Sequence, residues 1–109
     1  LNIGVRQQEQ GDLTAAIAAY EEAIQLKPNF AKAHYDLGVV YNRLGNHRQA
    51  ISAYRNRLHL LAGKSEDADT LYNLGMSHLL LGERDVARRQ YERLQKVDPG
   101  LAAQLLRHF

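Results

Sequence analysis

Apolar side chains recur along this chain at intervals of three and four residues, and short polar stretches break the recurrence at nearly regular distances. Ala33, Leu37, Val40, Tyr41 and Leu44 fall on one face of a helix. Gly45 then interrupts, as suits the left-handed residue that closes a helix. Asn46 follows with Gln49 three residues on, an arrangement close to a capping box. Ala50, Ile51, Tyr54, Leu58 and Leu61 make the stripe of a second helix. The preceding segment reads the same way. Gly11 stops one helix, Asp12 caps the next, and Ile17, Tyr20, Ile24 and Leu26 follow. Pro28 ends that helix, and Asn29 stands where it would cap its successor.

The pattern repeats. Gly4, Gly38 and Gly75 are separated by 34 and 37 residues, and so are Gly11, Gly45 and Gly82. Ala16, Ala50 and Ala87 keep the same separations, as do Tyr20, Tyr54 and Tyr91; Pro28 and Pro99 span both intervals. One register held by five sets of residues predicts helix hairpins stacked in series. The three extra residues of the second interval fall between Tyr54 and Leu71, in the polar stretch from Ala62 to Asp67. The chain therefore reads as one all-α domain. Residues 1–30 are a first unit cut short at its N-terminus, 31–67 a second unit with an insertion, and 68–101 a third. Residues 102–109 form a capping helix, with Leu101, Leu105, Leu106 and Phe109 able to cover the last apolar face of a stack. That cap predicts that the array ends here. Gly38 and Ala50 are expected where paired helices approach most closely, with Tyr54 filling the space beside them.

These residues resemble the tetratricopeptide repeat, a 34-residue helix–turn–helix unit. His34-Tyr35-Asp36-Leu37-Gly38-Val39-Val40-Tyr41 is similar to its first-helix signature, with histidine where the family often has tryptophan. Leu71-Tyr72-Asn73-Leu74-Gly75-Met76-Ser77-His78 is similar too, with leucine in that place and histidine for the closing tyrosine. The second-helix signature runs Ala16 to Tyr20, Ala50 to Tyr54 and Ala87 to Tyr91. There are departures. Ala62 replaces the terminal proline of the middle unit, which predicts a longer second helix there. Arg57 stands where the neighbouring units have Ala23 and Leu94. The resemblance implies a right-handed α-solenoid of antiparallel hairpins whose concave wall comes mainly from the first helix of each unit.

On that implied wall, helical spacing picks out the side chains pointing away from the signature face. They are Lys32, Tyr35, Val39, Asn42 and Arg43 in the second unit, and Asp69, Tyr72, Met76 and Leu79 in the third. The first unit offers Leu1, Val5 and Gln8. Tyr35 and Tyr72 are register equivalents, and tyrosine brings contact area with few rotors. Asn42 can donate and accept, as an extended peptide backbone requires, and Met76 can adapt its shape. The expectation is a non-catalytic scaffold that binds a peptide or helix of a protein partner in this groove, with Lys32 and Arg43 steering it. Self-association through the cut-short first helix is an alternative occupant. Repeat domains that clamp acidic chaperone tails use lysine, asparagine and arginine; the matching positions here hold Leu1, Val5, Asp36, Asp69 and Asn73. That set predicts no binding of such tails in the usual mode.

Charge and chemistry narrow the classes further. The net charge of +2 divides unevenly: −2 over residues 1–30, +5 over 31–64 and −1 over 65–109. A helical repeat with a basic middle could read RNA. However, Arg48, Arg55, Arg88, Arg89 and Arg93 lie mostly on second helices, whereas Asp36 and Asp69 lie at or near the groove, so protein is favoured over nucleic acid. A docking or oligomerisation module of a larger enzyme is the other alternative. With no cysteine there is no disulfide frame, thiol nucleophile or cysteine-held zinc. His34, His47, His59, His78 and His108 include no pair at metal-ligand helical spacing. His34 and His78 are expected to be packed. Ser52, Ser65 and Ser77 lack a nucleophile elbow, and every glycine is accounted for by packing or a turn. No catalytic residue, cofactor or metal is expected. No apolar run is long enough to span a bilayer and no signal peptide is visible, which gives a cytoplasmic reading, subject to any segment upstream of Leu1.

Overall fold

The computed structural model describes residues 2–61 and 67–109, with side chains described from Asp12 onward. Six helices follow one another among these residues: α1 (Asn2–Leu26), α2 (Ala31–Arg43), α3 (His47–Leu60), α4 (Ala68–Leu80), α5 (Arg84–Val97) and α6 (Pro99–Leu106). Each packs on its neighbour in sequence, and α2 and α4 also touch, as do α4 and α6. Those skipped contacts stack the hairpin α2–α3 on the hairpin α4–α5. The fold is the all-α helical solenoid expected from the repeat.

The two turns within hairpins are built alike. Gly45 and Gly82 have φ of 81° and 77°, a region that suits glycine because it lacks a Cβ. With these residues left-handed, Asn46 donates its N–H to the Tyr41 carbonyl at 2.8 Å and Gly45 to that of Asn42 at 3.0 Å. Glu83 and Gly82 make the matching bonds to His78 and Leu79, at 2.8 and 3.0 Å. This pair of bonds satisfies carbonyls that the helix end leaves open.

Several local expectations fail. Asn46 makes no side-chain capping bond. Phe30, rather than Asn29, precedes α2 without a side-chain cap; its carbonyl takes the N–H groups of Ala33 and His34. α1 runs through Gly11 as one 25-residue helix instead of turning there. A mid-helix glycine costs only about 1 kcal/mol, so it does not by itself compel a turn. α3 is 14 residues long, the same as α5, so the missing proline does not lengthen it. The insertion at 62–66 lies outside the described residues. α6 begins at Pro99, earlier than the expected cap, since Asp98 accepts the Leu101 N–H at 3.0 Å and the proline ring suits the first helical turn.

The core is in two parts. Ala50, Ile51, Tyr54 and Leu74 form one, with Tyr35, Val39, Tyr41, Leu58 and Leu81 packed around it. Leu71, Leu94, Ala102 and Leu105 form the other, flanked by Tyr72, Met76, Leu79, Tyr91 and Phe109 among others. Gly38 behaves as its register predicts: a Cβ there would lie 2.6 Å from the Tyr54 ring. Its equivalent Gly75 instead receives Leu105 of α6, at 2.8 Å from such a Cβ.

Candidate functional site

Helices α2 and α4 carry the positions expected to meet a partner. Val5 and Gln8 lie on α1 among the residues whose side chains are not described. The others form two groups, one over each core. Tyr35 and Val39 pack on the middle core, and Tyr72, Met76 and Leu79 on the C-terminal one. All five are half-buried, while Lys32, Arg43 and Asp69 are exposed. Lys32 pairs with Asp36 one turn on, at 3.6 Å.

Both tyrosines are held in place. Asn73 on α4 donates its Nδ2–H to the Tyr35 hydroxyl at 3.1 Å, bridging the two hairpins. The Tyr35 ring also lies 5.9 Å from that of Tyr54, with the Arg57 guanidinium 5.0 Å from its centre. Burial, with the negative charge of Asp69, raises the Tyr35 phenol above its ordinary value, so it stays neutral. The Tyr72 hydroxyl lies 3.5 Å from Nε2 of His108 in the segment after α6.

Asn42 is more committed than the sequence suggested. Its Oδ1 accepts from His47 Nδ1–H at 2.8 Å and shares the Ser77 hydroxyl proton, at 3.0 Å, with the Asn73 carbonyl. Its Nδ2 donates to the Tyr54 hydroxyl at 3.3 Å. One N–H of the amide is left for an outside group. Burial pushes the Tyr54 phenol up to about 12, which keeps this network uncharged.

Arg57 is the residue whose importance the sequence concealed. It donates Nε–H to Asp67, and NH1 to the Ala31 carbonyl at 3.1 Å. One side chain on α3 thus ties the starts of α2 and α4. Asp67 also takes the Thr70 hydroxyl and backbone N–H, capping α4. Burial pushes the Asp67 carboxyl up, but the bonds from Thr70 and Arg57 and the arginine charge outweigh it and hold the carboxyl below its ordinary value. The visible signal was Arg57's departure from Ala23 and Leu94; its partner lies beyond an insertion of unreadable geometry.

Two clefts open between consecutive second helices. The first, about 430 Å³, is bounded by α1, α2 and α3 and includes Glu21, His34, Tyr41 and Ser52. There the Tyr41 hydroxyl donates to Glu21 at 3.0 Å, and His34 Nε2–H donates to the Pro28 carbonyl at 3.1 Å. The second, about 250 Å³, is bounded by α3, α4 and α5 and includes Arg48, Ser52, Arg55, His78 and Glu83. His78 Nδ1 is 2.9 Å from Glu83, which also pairs with Arg48 at 3.4 Å. The bond from His78, with the Arg48 charge, holds the Glu83 carboxyl below its ordinary value despite an opposing loss of solvation. His34 and His78 are both buried, as expected of signature positions. Among the described residues no group of histidine and carboxylate ligands could hold a metal ion, and no helix is long and apolar enough to cross a membrane.

Comparison with known proteins agrees with this geometry. A model described as TPR repeat matches residues 8–45, and two described as tetratricopeptide repeat match 33–69 and 68–101. Tetratricopeptide repeat protein 36 of Danio rerio is 29% identical over 102 residues, covering 93% of this chain. The chain spans about half, 54%, of that relative's length. Among solved structures, MamA protein is 31% identical with a TM-score of 0.70, over 77% of this chain and 44% of its own. A thermophilic TPR protein from Thermus thermophilus superposes with a TM-score of 0.79 at 24% identity, over 94% of this chain and 53% of its own; that likeness concerns the fold alone.

Proposed function

The chain belongs to the tetratricopeptide-repeat family, and from that premise we propose that it is a non-catalytic protein-binding module whose α2/α4 face takes a peptide or helix of a partner. The repeat fold supports a protein-interaction scaffold in general. The observation that carries the specific reading is the fixing of Tyr35 and Tyr72. Each ring is half-exposed, and each hydroxyl is within hydrogen-bonding distance of another element of the chain. A partner therefore meets aromatic surfaces whose orientation is already set, which lowers the entropy lost on binding. Val39 and Met76 lie one turn further along the same helices and extend the apolar surface. Lys32, Arg43 and Asp69 form a charged margin that guides approach rather than supplying most of the affinity. Asn42 acts mainly from behind, through its bonds to Tyr54 and Ser77.

The test leaves the tyrosine struts intact. The double variant Val39→Glu/Met76→Glu places two charges on the proposed contact surface, and proteins captured from a native lysate are compared with those held by the unaltered chain. Capture of specific partners should fall at least about tenfold, the effect of burying an unpaired charge at an interface, with far-UV circular dichroism unchanged. Partners retained undiminished by a folded variant would move the binding face elsewhere.

A further inference from the structure

The second cleft differs in chemistry from the first, although the repeat makes them equivalents. Arg55 occupies the register position of Glu21, 34 residues on, and His78 that of Tyr41, 37 residues on. In the first cleft these positions bond to each other. In the second, where an arginine stands in place of the carboxylate, they do not. His78 turns to Glu83 instead, and its other ring nitrogen, Nε2, is buried with no hydrogen-bond partner. His78 is only 3% exposed, so water does not readily relieve that nitrogen.

The cationic groups around it are under-used. Arg48 meets Glu83 through one nitrogen at 3.4 Å and is 72% exposed, a geometry worth little by itself. Arg55 is exposed and makes no ion pair with a described residue. Ser52 adds an exposed hydroxyl between the two arginines on α3. The cleft of about 250 Å³ leaves room for a ligand of several heavy atoms.

We propose that this α3/α4/α5 cleft binds a tetrahedral oxyanion of the phosphate class. Arg55 and Arg48 supply N–H donors and charge, Ser52 supplies a hydroxyl, and His78 forms the floor. Glu83 accepts from Nδ1 at 2.9 Å, which fixes the imidazole ring in place as that floor. The charged groups facing His78 are Glu83 at the start of α5 and Arg48 and Arg55 on α3. The site uses α3, the start of α5 and His78 of α4, shares no residue with the proposed partner surface, and does not depend on the reading of that surface.

The test uses sodium sulfate and inorganic phosphate as probes on the full chain, followed by amide chemical shifts against sodium chloride at equal ionic strength. Saturable shifts should appear in residues 48–55 and 78–86 with either oxyanion. Arg55→Glu should weaken sulfate at least about tenfold, the scale of one charge-assisted contact, while Arg107→Glu on α6 leaves it unchanged. A phosphoserine peptide that binds more tightly than inorganic phosphate identifies a modified protein as the source; equal or weaker binding identifies the free ion. Shifts that match chloride, or that persist in Arg55→Glu, would overturn the proposal.

Discussion

The hairpins α2–α3 and α4–α5 keep one register yet are held together by different chemistry. Around the middle hairpin the joints are polar. Asn42 links Tyr54, His47 and Ser77, Asn73 holds Tyr35, and Arg57 holds Asp67. Around the last hairpin they are apolar, with Leu71, Leu94 and Leu105 fully buried. Single positions show the contrast. Arg57 and Leu94 are register equivalents, one ion-paired and one inside the core. Asn42 and Leu79 are another such pair, one in a hydrogen-bond network and one against the α6 cluster. The repeat sets the distance between backbones, and that distance can be filled by either chemistry. The α2–α3 hairpin finds polar groups on α4 to bond. On its other side the α4–α5 hairpin meets the short apolar α6, so leucines take those places.

The largest expected effect breaks the apolar side of this comparison. Leu94→Ala opens a hole where no solvent reaches and should cost about 3–4 kcal/mol, within the range for buried leucines. Urea unfolding followed by circular dichroism measures it. A cost below about 1 kcal/mol would mean that α5 and α6 close over the gap, and that the last hairpin is not held by this core.

Arg57→Ala probes the polar side at the same register position. The pair is about one-fifth exposed, at 22% and 16% for the two side chains, so the loss should be smaller, about 2–3 kcal/mol. Much of that cost comes from leaving Asp67 without its charge partner. The variant Arg57→Leu/Asp67→Asn, which keeps the cap on α4, should therefore recover part of it. Acid gives an independent reading. Because the Asp67 carboxyl is held below its ordinary value, its contribution is complete above about pH 4 and is lost as the pH falls through the lowered folded value. Arg57→Ala removes two of the effects that lower it, so less stability should disappear over that acid range. An unchanged acid profile would show that the pair contributes little.

The second and third hairpins, the offset between them and their glycine turns were legible in the sequence, because each rests on spacing within one segment. Gly45 and Gly82 turn as expected, Tyr54 fills the space at Gly38, and His34 and His78 are packed. What escaped notice depends on contacts between segments. Asn42 offered the right groups for a peptide, but Tyr54 and Ser77 take them, and no local pattern reveals that. Arg57 stood out as an oddity without a visible partner. Gly11 looked like Gly45, yet α1 continues through it. A glycine permits a turn, whereas the packing of the following helix is what makes one favourable. Of the candidate site, the sequence offered a set of positions on α2 and α4. The supports of Tyr35 and Tyr72, Asn73 and His108, lie 38 and 36 residues away and became visible only once the helices were stacked.

The smallest effect separates two glycines that the repeat treats as the same. An alanine at either position gains up to about 1 kcal/mol of helix propensity, so the contacts decide the sign. At Gly38 the new Cβ would meet three atoms of the Tyr54 ring between 2.6 and 2.9 Å. That ring is rigid, 1% exposed, tethered through its hydroxyl to Asn42 and set beside Tyr35. It can yield only by moving α3, so Gly38→Ala should destabilise by about 1–2 kcal/mol net, as overpacking of a tight core does. At Gly75 the obstacle is the end of Leu105, a flexible side chain on an eight-residue helix that can rotate or shift. Gly75→Ala should therefore be within about 0.5 kcal/mol of neutral, with propensity and strain nearly cancelling. Paired urea melts decide the matter. Equal losses would show that the middle hairpin, for all its hydrogen bonds, is no stiffer than the apolar end of the stack.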